Sequence, residues 1–224
     1  MKPILLFDID GTLLRIKHKF MSSLITDILK SLSLDETILD NLSFAGKTDQ
    51  SIFRSLLGPK KQDDRLYQKL KERYITGMHE RLNAEHVTIF KHVKTCLNYF
   101  EESNYHLGLL TGNYKETAAR KLGLADIKNY FTFGAFGCDH TDRNMLGKAA
   151  QRSFLQEHNS EAEPQEFLII GDTPLDIQCA KYFGCQIVVV TTGQFSKEEL
   201  SKFKPDLILD SLEDPEEWLG QFKF

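Results

Sequence analysis

Three observations predict an α/β chain built on a doubly wound parallel sheet. From about residue 86 onward, short apolar runs alternate with segments of helical periodicity, the pattern of parallel strands covered by helices on both faces. A further apolar run, Ile4-Leu-Leu-Phe7, stands near the start of the chain and reads as a buried strand. Between them, roughly residues 15–84 carry only helical periodicity. The expected architecture is an α/β core of residues 1–14 and 85–224, with an all-helical segment of residues 15–84 inserted after the first strand.

Taken in order, the first strand stops at Asp8-Ile-Asp10-Gly11-Thr12, where Gly and Thr supply a turn. Phe20, Met21, Leu24, Ile25, Ile28, Leu29 and Leu32 recur at spacings of three and four, which predicts an amphipathic helix. Thr48 or Asp49 caps the next helix, with Ile52, Phe53, Leu56 and Leu57 as its apolar face and Gly58-Pro59 at its end. A third helix runs through Leu66, Leu70, Tyr74, Met78 and Leu82.

In the second part, a helix carrying Val93, Cys96, Leu97 and Phe100 leads to a strand at Leu107-Gly-Leu-Leu110, stopped by Thr111-Gly112-Asn113. A helix to about Leu122, a short strand from Tyr130 to Phe133, and a helix from about Asn144 to His158 follow. Phe167-Leu-Ile-Ile170 ends at Gly171-Asp172, and Pro174 suits the first turn of the helix beyond it. Ile187-Val-Val-Val190 and Leu207-Ile-Leu209 complete the sheet. Sheets of this kind bind ligands outside the carboxyl ends of their strands. The residues that stop these strands, Asp8, Asp10, Thr111 and Asp172, are therefore expected in one crevice. Carboxylates gathered so closely repel, and a bound cation or a raised pKa relieves them.

Composition narrows the possible partners. A net charge of −4 offers no electrostatic footprint for nucleic acid or an anionic membrane surface. No apolar run approaches the ~20 residues of a membrane-spanning helix. The four cysteines, Cys96, Cys138, Cys179 and Cys185, form no CxxC pair or disulfide framework. The expectation is a reduced, cytoplasmic protein. Its oligomeric state is not legible.

Asp8-x-Asp10-Gly-Thr12, the Thr111-Gly112-Asn113 strand end and Gly171-Asp172-Thr-Pro-Leu-Asp176 resemble three motifs of the haloacid dehalogenase superfamily. The placing of a helical cap between the first two motifs fits the same family. Within it, Phe44-Ala-Gly-Lys-Thr-Asp49 is similar to the cap loop of phosphoglycolate-phosphatase-like members.

The resemblance implies a Mg²⁺-dependent phosphatase acting on a small phosphorylated metabolite. Asp8 would be the nucleophile, and Asp10 the acid and base for the leaving alcohol and the water. Thr111, with the Gly112 and Asn113 amides, would hold the phosphoryl group. Asp8, the Asp10 carbonyl and Asp172 would form an all-oxygen metal site, with Asp176 reaching the ion through water or orienting the site. The family's basic residue has two candidates, Arg143 at a helix entrance and Lys148 inside the helix. Lys47 would meet an anionic substrate, whereas Thr48 and Asp49 serve equally as plain helix caps. The dehalogenase branch typically lacks the second Asp, so Asp10 favours phosphoryl chemistry. A phosphosugar mutase of the same fold, or a phospho-receiver module, uses similar groups.

Overall fold

A computed structural model describes residues 2–41, 43–60 and 62–224. Among these residues the chain forms a parallel sheet in the order β5-β4-β1-β6-β7-β8. Its strands are β1 (Ile4–Phe7), β4 (Leu107–Leu110), β5 (Phe133–Ala135), β6 (Phe167–Gly171), β7 (Gln186–Val190) and β8 (Leu207–Leu209). The fifth strand therefore lies about three residues beyond the expected Tyr130–Phe133 run. Lys128–Tyr130 is instead a 3₁₀ turn.

Both faces of the sheet are buried, which explains why its strands read as continuous apolar runs. Leu5, Phe7, Leu109, Ile170 and Val188 enter one hydrophobic cluster, while Ile4, Leu6, Leu110, Ile169 and Val189 enter the other. The first cluster continues into α4 (Val93–Glu102), α5 (Lys115–Leu124) and α9 (Pro215–Leu219). In it, Phe100 meets Trp218 edge-on at a ring-centroid distance of 5.7 Å. The second takes in α6 (Leu146–His158), α7 (Pro174–Phe183) and α8 (Lys197–Ser201). The short helices α8 and α9 have too few residues for a periodic apolar face, so the sequence does not announce them.

The inserted segment carries α1 (His18–Ser31), α2 (Asp49–Leu56) and α3 (Asp64–Arg81). Thr48 caps α2, accepting a hydrogen bond from the Ser51 amide at 3.2 Å. Helices α1 and α3 pack closely at Gly77, where a β-carbon would press on the Leu24 side chain. The segment is not wholly helical at its margins. Residues Leu14–Ile16 form β2 and pair antiparallel with β3, Val87–Ile89. Runs of three residues are too short to betray a strand by periodicity. This ribbon brings both ends of the helical insert together beside the first strand end.

Register sets the site. Phe7 lies beside Leu109 on one side and Ile170 on the other. Asp8, Thr111 and Asp172 therefore leave neighbouring strands at nearly the same level.

Candidate active site

The loop after β1 is a tight turn. The Leu13 and Leu14 amides both donate to the Ile9 carbonyl, at 2.9 and 3.1 Å, and the Gly11 amide donates to the Leu14 carbonyl at 2.9 Å. Gly11 takes a positive φ of 92°, which a side chain would strain. A β-carbon on Gly11 would strike the Asp172 carboxylate, and one on Gly193 would do the same. Two glycines thus make the cradle in which Asp172 lies. Thr12 donates its hydroxyl to Asp172 Oδ1 at 3.2 Å.

Asp8, Asp172 and Asp176 are all buried, and each offers a carboxylate oxygen within 4.8 Å of the others. Burial pushes the Asp8 carboxyl up to about 6; Arg143 opposes that rise, and the Asp176 and Asp10 charges add to it. Burial, followed by repulsion from Asp8 and Asp176, also raises Asp172 well above the usual carboxylate range. An all-oxygen donor set crowded this closely, with a glycine-walled cradle on one side, fits a hard divalent cation.

Arg143 is the cation already present. It follows Asp142, whose side chain caps the 3₁₀ turn Arg143–Met145. Its guanidinium is buried, 3.2 Å from Asp8 Oδ1 and ion-paired to Asp176 Oδ1. It donates to the Gly46 carbonyl at 3.1 Å and to the Leu110 carbonyl at 3.4 Å. Burial works against its charge, but Asp176 and then Asp8 overcome that and raise its pKa. Arg143 Nε is buried without a hydrogen-bond partner among the described residues.

Asp176 opens α7 in a capping box with Thr173. Its Oδ2 accepts from the Thr173 hydroxyl at 2.7 Å, the Thr173 amide at 3.0 Å and the Asp172 amide at 3.3 Å. Both of its oxygens therefore have protein donors, one from Arg143 and the other from the start of α7.

Asp10 lies at the edge of the cluster with 40% of its side chain exposed. Its Oδ2 accepts from Asn113 Nδ2 at 2.8 Å and from Lys121 Nζ at 2.6 Å. Asn113 also donates to Thr111 Oγ1 at 2.8 Å and accepts from Lys121 at 2.6 Å. The Asn113 side chain is thus occupied in holding Asp10 and Thr111. Thr111 Oγ1 accepts also from the Asn113 amide at 3.4 Å. Its hydroxyl proton has no acceptor among the described residues.

Of the two basic candidates, the structure brings Arg143 to Asp8 and leaves Lys148 outside. Lys148 is exposed on α6, its ammonium 5.9 Å from the Tyr182 ring centroid. Lys47 is likewise exposed. Its backbone, not its side chain, reaches the site, because a β-carbon on Gly112 would overlap the Lys47 carbonyl. The neighbouring Asp49 is buried. Its amide donates to the Gly112 carbonyl at 2.7 Å, and its Oδ2 accepts from the Tyr114 amide at 2.8 Å.

Lys121 escaped the sequence reading, although a signal existed. It is one turn beyond Ala118 and next to Leu122 on the buried face of α5, where a lysine is out of place.

Comparison with known proteins bears on the family and the fold. The phosphoglycolate phosphatase of Escherichia coli strain K12 is 31% identical over 162 residues, covering 70% of this chain and 59% of that protein. The chain thus spans about 59% of the length of the curated relatives it matches. A crystal structure described as a predicted phosphoglycolate phosphatase from Haemophilus somnus superposes with a TM-score of 0.74 at 20% identity, over 97% of this chain and 98% of that one. A predicted phosphatase from Clostridium acetobutylicum gives 0.75 at 17% identity, over 99% of this chain and 100% of that one. At such identities the structures speak for the fold alone. The family model for haloacid dehalogenase-like hydrolases matches residues 5–190. With that span, and with the strand-end carboxylates in the order the motifs require, the chain belongs to the haloacid dehalogenase-like hydrolase family.

Proposed function

We propose that the protein is a Mg²⁺-dependent phosphatase that hydrolyses a small phosphorylated metabolite through an aspartyl-phosphate. The observation that carries the reading is Arg143 standing between Asp8 and Asp176, with Asp172 alongside. A carboxylate held on a rigid strand end beside a guanidinium is arranged to attack an anionic phosphoryl group.

Asp8 attacks phosphorus in line, and the bond to the leaving alcohol breaks. Asp10 gives the leaving oxygen its proton. Water then attacks the phosphorus of the acyl-phosphate and gives its proton to Asp10, which releases inorganic phosphate and restores Asp8. The Arg143 Nε–H, buried without a partner, and the Thr111 hydroxyl proton suit phosphoryl oxygens. Asp176 orients Arg143 and the start of α7. Asp8, Asp172 and the Asp10 carbonyl would hold Mg²⁺, which when bound would supply positive charge to neutralise the nucleophile and the phosphoryl group. Lys148 and the Lys47 side chain take no part.

The helical insert acts as a lid over the crevice, with residues 46–49 among its contacts with the core. The relatives point to phosphoglycolate as the substrate to try first. The four free cysteines, two of them buried, support a reducing compartment. The test is hydrolysis of phosphoglycolate and of an aryl phosphate, with magnesium and with chelator. Magnesium-dependent release of inorganic phosphate is expected. Return of the phosphoryl group to a substrate hydroxyl would make the protein a mutase instead.

A further inference from the structure

Lys121 is a charged residue of the site network whose chemistry the proposed mechanism leaves unused. Its side chain is 4% exposed. Burying an ammonium removes several kcal/mol of hydration, which only well-placed acceptors offset. Two are present, Asp10 Oδ2 and Asn113 Oδ1, each 2.6 Å from Nζ. The charge also faces Asp49 in the helical insert, whose carboxyl it pulls down against the effect of burial.

These contacts define how each group is turned. Lys121 claims the amide oxygen of Asn113, so the amide nitrogen faces the other way, toward Asp10 Oδ2 and Thr111 Oγ1, each 2.8 Å away. Asp10 Oδ2 consequently carries two donors, from Asn113 and from Lys121. Asp10 Oδ1 carries no protein donor among the described residues. One oxygen is clamped and the other is left for chemistry. A carboxylate on a loop would otherwise turn about its side-chain bonds, and proton transfer needs its oxygen within hydrogen-bond reach of the leaving group.

We propose that Lys121 is a positioning residue for proton transfer: through Asn113 and its own ammonium it fixes Asp10 Oδ2 and presents Oδ1 to the leaving oxygen, then to the attacking water. The inference rests on reading Asp10 as the acid and base, and the experiment separates the two.

The test is kcat/KM for para-nitrophenyl, phenyl and alkyl phosphates, in order of increasing basicity of the leaving oxygen. Good leaving groups depart without a proton, and poor ones do not. The native protein, Lys121→Met, Asp10→Asn and the double variant are compared. Lys121→Met is expected to act almost normally on para-nitrophenyl phosphate and to lose about 10²-fold or more on the alkyl ester, the scale of general acid catalysis. In the Asp10→Asn background it should add almost nothing, since both act through one group.

A uniform loss across the esters, or losses that multiply in the double variant, would overturn the inference while Asp10→Asn keeps its steep dependence. A flat profile for Asp10→Asn would overturn the reading of Asp10 and the inference with it. Lys121→Gln, which keeps a donor at this place, is the second variant if Lys121→Met does not fold. Against the native protein it is expected to lose activity selectively on the alkyl phosphate, and a uniform loss across the esters would count against positioning.

Discussion

Asp49 of the helical insert and Tyr114 at the start of α5 are joined across the site's rim, the Tyr114 amide donating to Asp49 Oδ2 at 2.8 Å. The Asp49 amide answers by donating to the Gly112 carbonyl at 2.7 Å. The two bonds fasten the insert to the loop that carries Thr111 and Asn113. Burial pushes the Asp49 carboxyl up to about 7, with Lys121 pulling it down and Asp10 pushing it further up.

That carboxyl fixes a pH dependence of stability. The folded protein holds the Asp49 proton more tightly than the unfolded chain does. Its contribution is therefore fully present below the ordinary value of 3.8 and is lost as pH rises through about 7. Three pKa units amount to about 4 kcal/mol at most. Asp49→Asn keeps an acceptor for the Tyr114 amide and carries no charge to bury. Thermal melts from pH 5 to 8.5 should show the native protein weakening toward high pH more than the variant. Parallel curves for the two proteins would contradict this account.

Gly112 lies directly against the insert. A β-carbon there would overlap the Lys47 carbonyl, so Gly112→Ala must push the loop of residues 46–49 away. Fold stability should fall by about 1–3 kcal/mol. The kcat/KM should fall further, by up to about 10²-fold, because small misplacements near reacting groups are costly. Equilibrium denaturation measured beside steady-state kinetics distinguishes the two effects.

Arg143→Met leaves Asp8 and Asp176 buried without their cation. Removing one partner of a buried ion pair costs about 3–5 kcal/mol, readable by urea denaturation. Turnover should drop at least about 10²-fold. Lys148→Ala provides the contrast. An exposed helix position should shift stability by no more than about 0.5 kcal/mol and leave turnover as it was. Activity lost in Lys148→Ala and kept in Arg143→Met would reverse the assignment.

Magnesium should stabilise the fold in the absence of substrate. Three buried carboxylates lie together and two of them pair with one guanidinium, so a divalent cation relieves repulsion present only in the native state. At about a hundredfold excess over its dissociation constant, the ion should add about 2.7 kcal/mol. A rise in melting temperature that vanishes in Asp172→Asn is the expected outcome.

The sheet was legible because its strands are buried on both faces and end in polar residues, from Phe7-Asp8 to Gly171-Asp172. Helices α1 and α3 were legible from the spacing of Leu24, Ile28 and Leu29 and of Leu70, Tyr74 and Met78. The β2–β3 ribbon was not, because three-residue strands such as Leu14-Arg-Ile16 carry no period. Asp8 beside Asp172 followed from strand ends meeting, and Asp176 from the resemblance of Gly171-Asp172-Thr-Pro-Leu-Asp176 to a family motif. Lys121 and Asp49 did not, because their partners lie far off in sequence and both residue types are ordinarily exposed. The charge of Lys47 suggests a substrate contact; what the fold brings against Gly112 is its backbone carbonyl, which no sequence pattern announces.

The central claim is that Asp8 is the nucleophile of a phosphatase. The direct measurement is turnover of an aryl phosphate with magnesium by the native protein and by Asp8→Asn, with mass spectrometry of the quenched native enzyme. A loss of about 10⁴-fold or more is expected in the variant, with a phosphoryl group on Asp8 in the native chain. Full turnover by Asp8→Asn, or a phosphoryl group on another residue, would contradict the claim.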